Sequence, residues 1–586
     1  MRRASKQSRR TSTRSHHESL ETRRLLSVSA HQSGPYVYID GTDGSDEVIV
    51  QIVHPFASQY KDQLMVTDHG KLIFYTDMWY KQKPDNQPAV WGVAFDGKKG
   101  NDYFEMKGSF QYGKGTNANY EPSWDIPCTA GGGEGNDTLW GSDSQGTVDS
   151  KGYWHNYDFL NGDDGNDVIY GQAGPNEING GLGNDKLNGG NAWDHINAGP
   201  GRDTAYGEAG PDYIVGGDGD DSLDAGSGNN RVDAGLGNDT VMTGSGNDLV
   251  WGDMTWAELA ATGPLAQLNE MIGGNDFIWT YGGNDTVYGN AGNDTIDTSS
   301  GNDLIYGDVA LAENSTLEHG DDMITAGTGN DTVFGAGGND LINGQSGADK
   351  INGGKGDDRI WGGSNTDPND GVDTIHGNEG NDSIGGGRGG DWLYGDDGAD
   401  ELSGEQGADF ISGGNQNDTV YAGTENDTVY GDAGNDSVFA GDGNDIVYGN
   451  AGDDVLHGNV GNDAVYGGDN NDSLYGETGD DYLTGNGGND WLVGNEGNDD
   501  LWGDSGNDTL GGNAGNDSLH GNTGLDVLVG HEGKDSLDGG ADGLADILAG
   551  GSDADTFRTE LVLGNGGVTN KDQPNDFNAL EGDTYV

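Results

Sequence analysis

The chain has 586 residues, 112 of them glycine, with 31% hydrophobic residues and 101 Asp plus Glu against 27 Lys plus Arg, a formal net charge of -74. That balance excludes nucleic-acid backbones and anionic membranes as direct partners, because both would be repelled, and it favours cations. One cysteine, Cys128, permits no internal disulfide, and no stretch approaches the roughly eighteen apolar residues of a membrane span.

Residues 1–34 carry eight basic side chains (Arg2, Arg3, Lys6, Arg9, Arg10, Arg14, Arg23, Arg24), followed by a short apolar piece, Leu25-Leu26-Ser27-Val28-Ser29-Ala30. That piece is too short for an ordinary signal-peptide core. Leu20-Glu21-Thr22-Arg23-Arg24-Leu25-Leu26 resembles the L-E-x-R-x-L-L segment that opens many large extracellular bacterial proteins. The resemblance implies export; a disordered basic tail is the alternative. In residues 35–130, Glu47-Val48-Ile49-Val50-Gln51-Ile52-Val53 and Leu72-Ile73-Phe74-Tyr75 read as strands. Gly44-Ser45-Asp46 and Gly100-Asn101-Asp102-Tyr103-Phe104 look like isolated halves of the repeat that follows. A small β-rich region is expected here, either a domain of its own or a degenerate start that caps the repeats.

From 131 to 557 an aspartate recurs every nine residues, which calls for a repeat architecture. The column opens at Asp137 and runs from Asp158 through Asp167, Asp185, Asp194, Asp203, Asp212, Asp221 and Asp239 to Asp248, with Asn176 and Asn230 holding its register. It resumes at Asp276, Asp285, Asp294 and Asp303, and again at Asp322, Asp331, Asp340, Asp349 and Asp358. The longest stretch has nineteen members without a slip: Asp373, Asp382, Asp391, Asp400, Asp409, Asp418, Asp427, Asp436, Asp445, Asp454, Asp463, Asp472, Asp481, Asp490, Asp499, Asp508, Asp517, Asp526 and Asp535. Asp546 and Asp555 are outlying copies.

Two residues after each column aspartate stands an aliphatic side chain, as in Leu160, Ile169, Leu519 and Leu528; Ala205 and Phe557 are exceptions. The scarce hydrophobes therefore occupy one position in nine, and strand alternation turns that position inward. Glycine, Asn and Asp before the strand supply the turn. A three-residue strand and a six-residue turn, repeated, predict an all-β, right-handed parallel β-roll with two repeats per coil and strands stacked about 4.8 Å apart. Stacking at 18 residues places Asp391 over Asp373 and so on up both edges. Each such pair of carboxylates repels by about 1 kcal/mol in water and about 3.5 kcal/mol at an effective dielectric of 20. Dozens of pairs exceed the net stability of a domain, and protonating so many exposed groups at neutral pH would be costly. A hard divalent cation between turns removes the repulsion. Carboxylates with turn carbonyls supply the six to eight oxygens that Ca²⁺ takes, whereas Mg²⁺ holds its water, and neither His nor Cys recurs to favour zinc or copper.

The repeat resembles the G-G-x-G-x-D-x-U-x nonapeptide of RTX (haemolysin-type calcium-binding) proteins. Gly506-Asn507-Asp508-Thr509-Leu510 and Gly515-Asn516-Asp517-Ser518-Leu519 match it closely. The resemblance implies that the turns bind several Ca²⁺ ions between successive coils, with the column aspartates from Asp137 to Asp535 named above as the metal ligands. Asn176 and Asn230 lose a charge, which implies weaker sites, and Gln416, Glu425 and Asn470 replace the glycine two before the aspartate. Gly551-Ser552-Asp553-Ala554-Asp555-Thr556-Phe557 resembles the last form of the repeat, and Asp576-Phe577 with Gly582-Asp583 resembles a capping segment over 558–586.

Four interruptions, near 141–156, 253–272, 309–319 and 361–370, read as excursions from turns. That at 253–272 suggests a short helical insertion in Trp256–Ala261 and Leu265–Met271. Tyr430, Tyr448 and Tyr466 on one outer face, and Tyr421, Phe439, His457 and Tyr475 on the other, should form stacked ladders that stabilise the sheets. The alternative is a platform for a cell-surface glycan or other extracellular matrix component. No H-E-x-x-H, G-x-S-x-G or Walker motif is present, and no catalytic or cofactor-binding residue is expected beyond the calcium ligands. The sequence thus points to a secreted or cell-surface calcium-binding roll with a structural or adhesive role, folding on calcium outside the cell. The alternative is the export-and-folding module of an extracellular polysaccharide-modifying or hydrolytic enzyme.

Overall fold

The structure is a computed structural model. It describes residues 29–33, 36–41, 44–53, 61–68, 71–79, 92–107, 128–142, 147–148, 154–155, 158–253, 273–308, 319–542, 544–558, 561–564, 567–570, 573–574 and 584–585. The chain falls into two compact units, Met1–Asp218 and Gly219–Val586. Among the described residues every regular element is a β-strand.

In the second unit the strand set by each aliphatic residue pairs in parallel with the one 18 residues on. One sheet carries Ile375, Leu393, Ile411 and Val429 in register; the other carries Ile384, Leu402, Val420 and Val438. The residue after each column aspartate donates its N–H to the carbonyl of the aspartate one coil earlier, as Trp392 does to Asp373 (2.9 Å) and Phe410 to Asp391 (2.8 Å). The inward aliphatics, including Ala205 and Phe557, expose no more than 2% of their surface. The core of each coil is thus a thin seam, and main-chain bonds between coils do much of the holding.

The first unit is built from coils of the same kind. Tyr36–Asp40 pairs in parallel with Gly92–Asp96, that strand with Cys128–Glu134, and that with Asp158–Asp164. Opposite them, Glu47–Val53, Tyr103–Lys107, Thr138–Trp140 and Val168–Tyr170 stack in parallel. Within residues 35–130, expected to be a small domain or a degenerate start to the repeats, the described strands stack as parallel coils. Their open edges are covered by antiparallel strands: Ser29–Ser33 on one sheet, and Lys61–Asp68 with Lys71–Trp79 on the other. A reversed strand satisfies the edge without offering a template for a further parallel coil.

The excursions leave the ladder intact. The step between successive members widens from 18 to 30 (Asp137 to Asp167), 37 (Asp239 to Asp276), 28 (Asp294 to Asp322) and 24 (Asp349 to Asp373), and the hydrogen bond is made each time. A carboxylate closes the foot of each. Asp253 accepts from the Gly274 N–H (3.1 Å), Asp308 from Gly320 (3.0 Å), Asp370 from Arg388 (2.9 Å), and Asp158 from the Ser142 N–H (2.6 Å). At the far end, Gln573–Pro574 and Thr584–Tyr585 add parallel rungs to Ile547–Ser552 and Thr556–Arg558. The helical stretches expected in 256–271, residues 1–28 of the basic tail, and the capping residues Asp576, Phe577, Gly582 and Asp583 lie outside the described residues.

Candidate metal centre

Each turn brings one aspartate to the edge of its coil and then divides the work of its two oxygens. Oδ1 accepts a main-chain N–H from the aspartate one coil earlier: Asp373 donates to Asp391 (2.9 Å), Asp391 to Asp409 (2.7 Å) and Asp409 to Asp427 (2.8 Å). The opposite edge does the same through Asp382, Asp400 and Asp418. The chain of bonds passes Gln416, Glu425 and Asn470 unbroken, because those residues swing to φ of 80°, 78° and 81°, where glycine at the same position in Gly407 sits at 143°. Ala192 and Asp553 make the same replacement, at φ of 124° and 83°.

Oδ2 is different. From Asp373 to Asp535 every column aspartate holds this oxygen buried and without a hydrogen-bond partner. It points at the α-carbon five residues earlier: a Cβ on Gly386 would lie 2.5 Å from Oδ2 of Asp391 and 3.1 Å from the carbonyl oxygen of Gly404 in the next coil. Two acceptors thus face one small space that holds no donor. An unpartnered buried oxygen is expensive once, and here it recurs nineteen times.

These carboxylates, expected from the sequence to be exposed, are buried, because the next coil covers each edge. No column aspartate exposes more than 4% of its surface. Burial is the largest influence on their pKa and raises it against the lowering effect of the N–H bond: to about 9 in Asp373, about 8 in Asp418 and Asp472, and about 6 in Asp391. Asp294 reaches about 10, because Asp322, Asp276 and Asp253 add their charges to its burial. The site therefore asks for a positive charge, be it a proton or a metal.

Two positions show what that space accepts. At Asn176 the side-chain amide nitrogen donates to the carbonyls of Gly174 (2.8 Å) and Gly189 (3.0 Å); at Asn230 it donates to those of Gly226 and Thr243, both at 3.1 Å. The amide group stands in for a cation among main-chain oxygens. Among the described residues no three His, Cys, Asp or Glu side chains gather in one place, so the donors available are carboxylate together with carbonyl. That all-oxygen set suits Ca²⁺ and gives no foothold for zinc.

All the predicted positions from Asp137 to Asp535 are buried at turn edges. Asp158 differs in its bonding, since its Oδ2 takes both the N–H and the hydroxyl of Ser142. Three features lie outside the predicted ligand set, and the sequence points to the first of them through the isolated repeat halves at Asp46 and Asp102. Asp46 and Asp102 extend the column: the Asp46 N–H bonds Asp102 Oδ1 (2.7 Å) and that of Asp102 bonds Asp137 Oδ1 (2.6 Å). Their spacing is broken by long inserts, so it is the pairing that places them in the column. Cys128 occupies a column position, donating its N–H to Asp158 Oδ1 (2.6 Å), with its thiol pushed up by burial. An exposed asparagine ladder runs beside the aspartates, as where Asn489 Oδ1 accepts the N–H and side-chain amide of Asn507, both at 2.9 Å. The recurrent Asn-Asp pair was its signal.

The family model of the RTX calcium-binding nonapeptide repeat matches residues 132–145, 158–254, 272–308, 320–367 and 369–543, well over half of the chain. This chain belongs to the RTX calcium-binding repeat family. It is therefore a calcium-binding β-roll. Among curated proteins none matches. Among solved structures the RTX chain is similar to a hyperactive, Ca2+-dependent, beta-helical antifreeze protein from an Antarctic bacterium, at 18% identity and TM-score 0.21, over 61% of this chain and 95% of that one. A likeness that slight carries nothing over to function.

Asn176 supplies a direct check on this RTX centre. Asn176→Asp trades two amide donors for a carboxylate, so the roll should become less stable in chelator by about 1–3 kcal/mol. In calcium that loss should disappear. Urea unfolding of the variant with and without CaCl₂ reads both; equal stability in the two conditions would contradict the assignment.

Proposed function

We propose that this RTX protein works outside the cell or on its surface as a structural or adhesive element, and that its roll folds there as calcium binds to the column aspartates. The observation that carries this is the buried, unpartnered Oδ2 repeated from Asp373 to Asp535. A fold that leaves one such oxygen per repeat is a fold completed by a cation. Weak calcium sites of about 10⁻⁴–10⁻³ M fill in extracellular fluid and stay empty in cytosol, so binding and folding become one event at the place of use. Basic side chains ahead of residue 29 and the Leu20–Leu26 segment fit passage through an export route.

The test is far-UV circular dichroism of the full chain in chelator, then with rising CaCl₂ and a MgCl₂ control. The expected result is a cooperative coil-to-β transition with calcium at about 10⁻⁴–10⁻³ M, not reproduced by magnesium. A β-rich spectrum in chelator at pH 8, or equal rescue by magnesium, would overturn the reading.

A further inference from the structure

The outward residue three positions after each column aspartate forms a ladder of rings on one face of the second unit, and the ladder has a gap. Tyr288 stacks on Tyr306 (ring centroids 4.9 Å apart) and Tyr306 on Phe334 (5.0 Å). His376 stacks on Tyr394 (4.4 Å). Between Phe334 and His376, in register with both, stands Asn352. The same face breaks at Ser412, between Tyr394 and Tyr430, and at Thr484, between Tyr466 and Trp502. Those two breaks are filled from the side by a ring two residues earlier on the same strand. Phe410 leans between Tyr394 and Tyr430, and Tyr482 leans on Tyr466. The residue two before Asn352 is Lys350, which has no ring to offer. There the face opens into a groove of about 1080 Å³ that extends along the roll.

We propose that this groove binds a neutral oligosaccharide, one pyranose ring of which lies over Asn352 on the rung that lacks an aromatic ring, between Phe334 and His376. The two rings flank a space of two strand spacings, about 9.6 Å, which is one rung wide with a stacking distance left on each side. A sugar ring presents C–H faces to both. The groove continues past the gap, walled by Asn378, Asn415, Asp396, Asp397 and Asp432. Asp396, Asp397 and Asp432 already take a bond from His376 (2.9 Å), Asn415 (2.6 Å) and Ser412 (2.5 Å), and their remaining lone pairs can accept from a chain of hydroxyls that supplies donors at each step. A single planar aromatic would use only the gap. A polyuronate would be repelled, since Lys355 in the wall is already paired with Glu379 at 3.0 Å. The inference rests on the extracellular, adhesive reading above and names its ligand class.

The experiment is titration calorimetry of the calcium-loaded full chain with cellohexaose, mannohexaose and maltohexaose, with hexagalacturonate and indole as contrasts. At least one neutral hexamer is expected to bind. Asn352→Tyr, which completes the ladder, and Lys350→Tyr, which fills the gap from the side as Phe410 and Tyr482 do elsewhere, should each weaken it about tenfold or more. The calcium midpoint by circular dichroism should stay unchanged in both. No neutral hexamer bound at about 10 mM, binding indifferent to both variants, or preference for hexagalacturonate or indole would overturn the proposal. If the roll folds on calcium and still binds no sugar, the groove assignment fails while the calcium reading stands.

Discussion

Calcium-stripped protein is expected to hold its β structure at pH 5 and to lose it at pH 8. In the folded chain burial raises the column carboxyls, to about 9 in Asp373, about 8 in Asp427 and about 7 in Asp508, from an ordinary value of 3.8. A group whose folded value lies above its unfolded one contributes stability that is fully present below the unfolded value and disappears as the pH climbs through the folded one. The metal-free roll should therefore weaken steadily between about pH 4 and pH 8. Because all these groups shift in the same direction, their effects on stability act together, and the pH dependence should be steep. At pH 5 the protonated Oδ2 also gains a hydrogen to donate toward the carbonyl it faces. Calcium reverses the order, because it competes with those protons. Its midpoint concentration should rise as the pH falls below about 7, while saturated protein at pH 8 stays folded. Thermal melts of stripped protein at pH 5, 6.5 and 8, with and without CaCl₂, read the crossing. Stripped protein as stable at pH 8 as at pH 5 would mean that the carboxylates find partners other than a proton or a metal.

Replacing Gly407 by alanine should cost the calcium-loaded roll about 3 kcal/mol or more, whereas Gly511→Val should cost nothing and gain about 0.5 kcal/mol. Both glycines lie in the long uninterrupted stretch, one in a turn and the other on the outward face of a strand. Gly407 stands two before its aspartate at φ 143°, and a Cβ there would lie 1.1 Å from the carbonyl oxygen of Gly389, one coil below. The coils would have to separate at that edge, pulling Asp391 and Asp409 out of their 2.7 Å bond. Gly511 faces outward between Val493 and Val529, with nothing within 4 Å of the place its Cβ would take. A branched side chain there continues an existing row. Urea unfolding in CaCl₂ measures the two variants. Because each coil touches only its neighbours, hydrogen exchange should show the Gly407→Ala damage confined to the coils around Asp391 to Asp427. Equal tolerance of both substitutions would mean that the coils are not stacked as tightly as described.

Much of this molecule was legible in its residues because one physical rule repeats. The period of nine fixes which side chain turns inward, and 18-residue stacking follows from two repeats per coil, so Ile375, Leu393 and Ile411 could be aligned by counting. The aspartate column and its need for a cation came from the same count. Where the period is broken, counting stops: Asp46 and Asp102 belong to the column, yet their steps to the next member are 56 and 35 residues. Cys128 shares that column without sharing its chemistry, and only the bond to Asp158 shows it.

What sequence determined by itself, then, was periodic: strands, turns, core positions, calcium and family. Tertiary structure decided what depends on three-dimensional neighbours. It buried the carboxylates that a linear reading left exposed, because the next coil covers each edge, and that burial changes repulsion between charges into a demand for a proton or a metal. It divided each carboxylate into a bonded and an unbonded oxygen. It also decided that Ser412 and Thr484 are filled breaks in the ring ladder while Asn352 is an open one, since whether a ring leans across depends on the residue beside it on the strand and on the space the neighbouring coils leave.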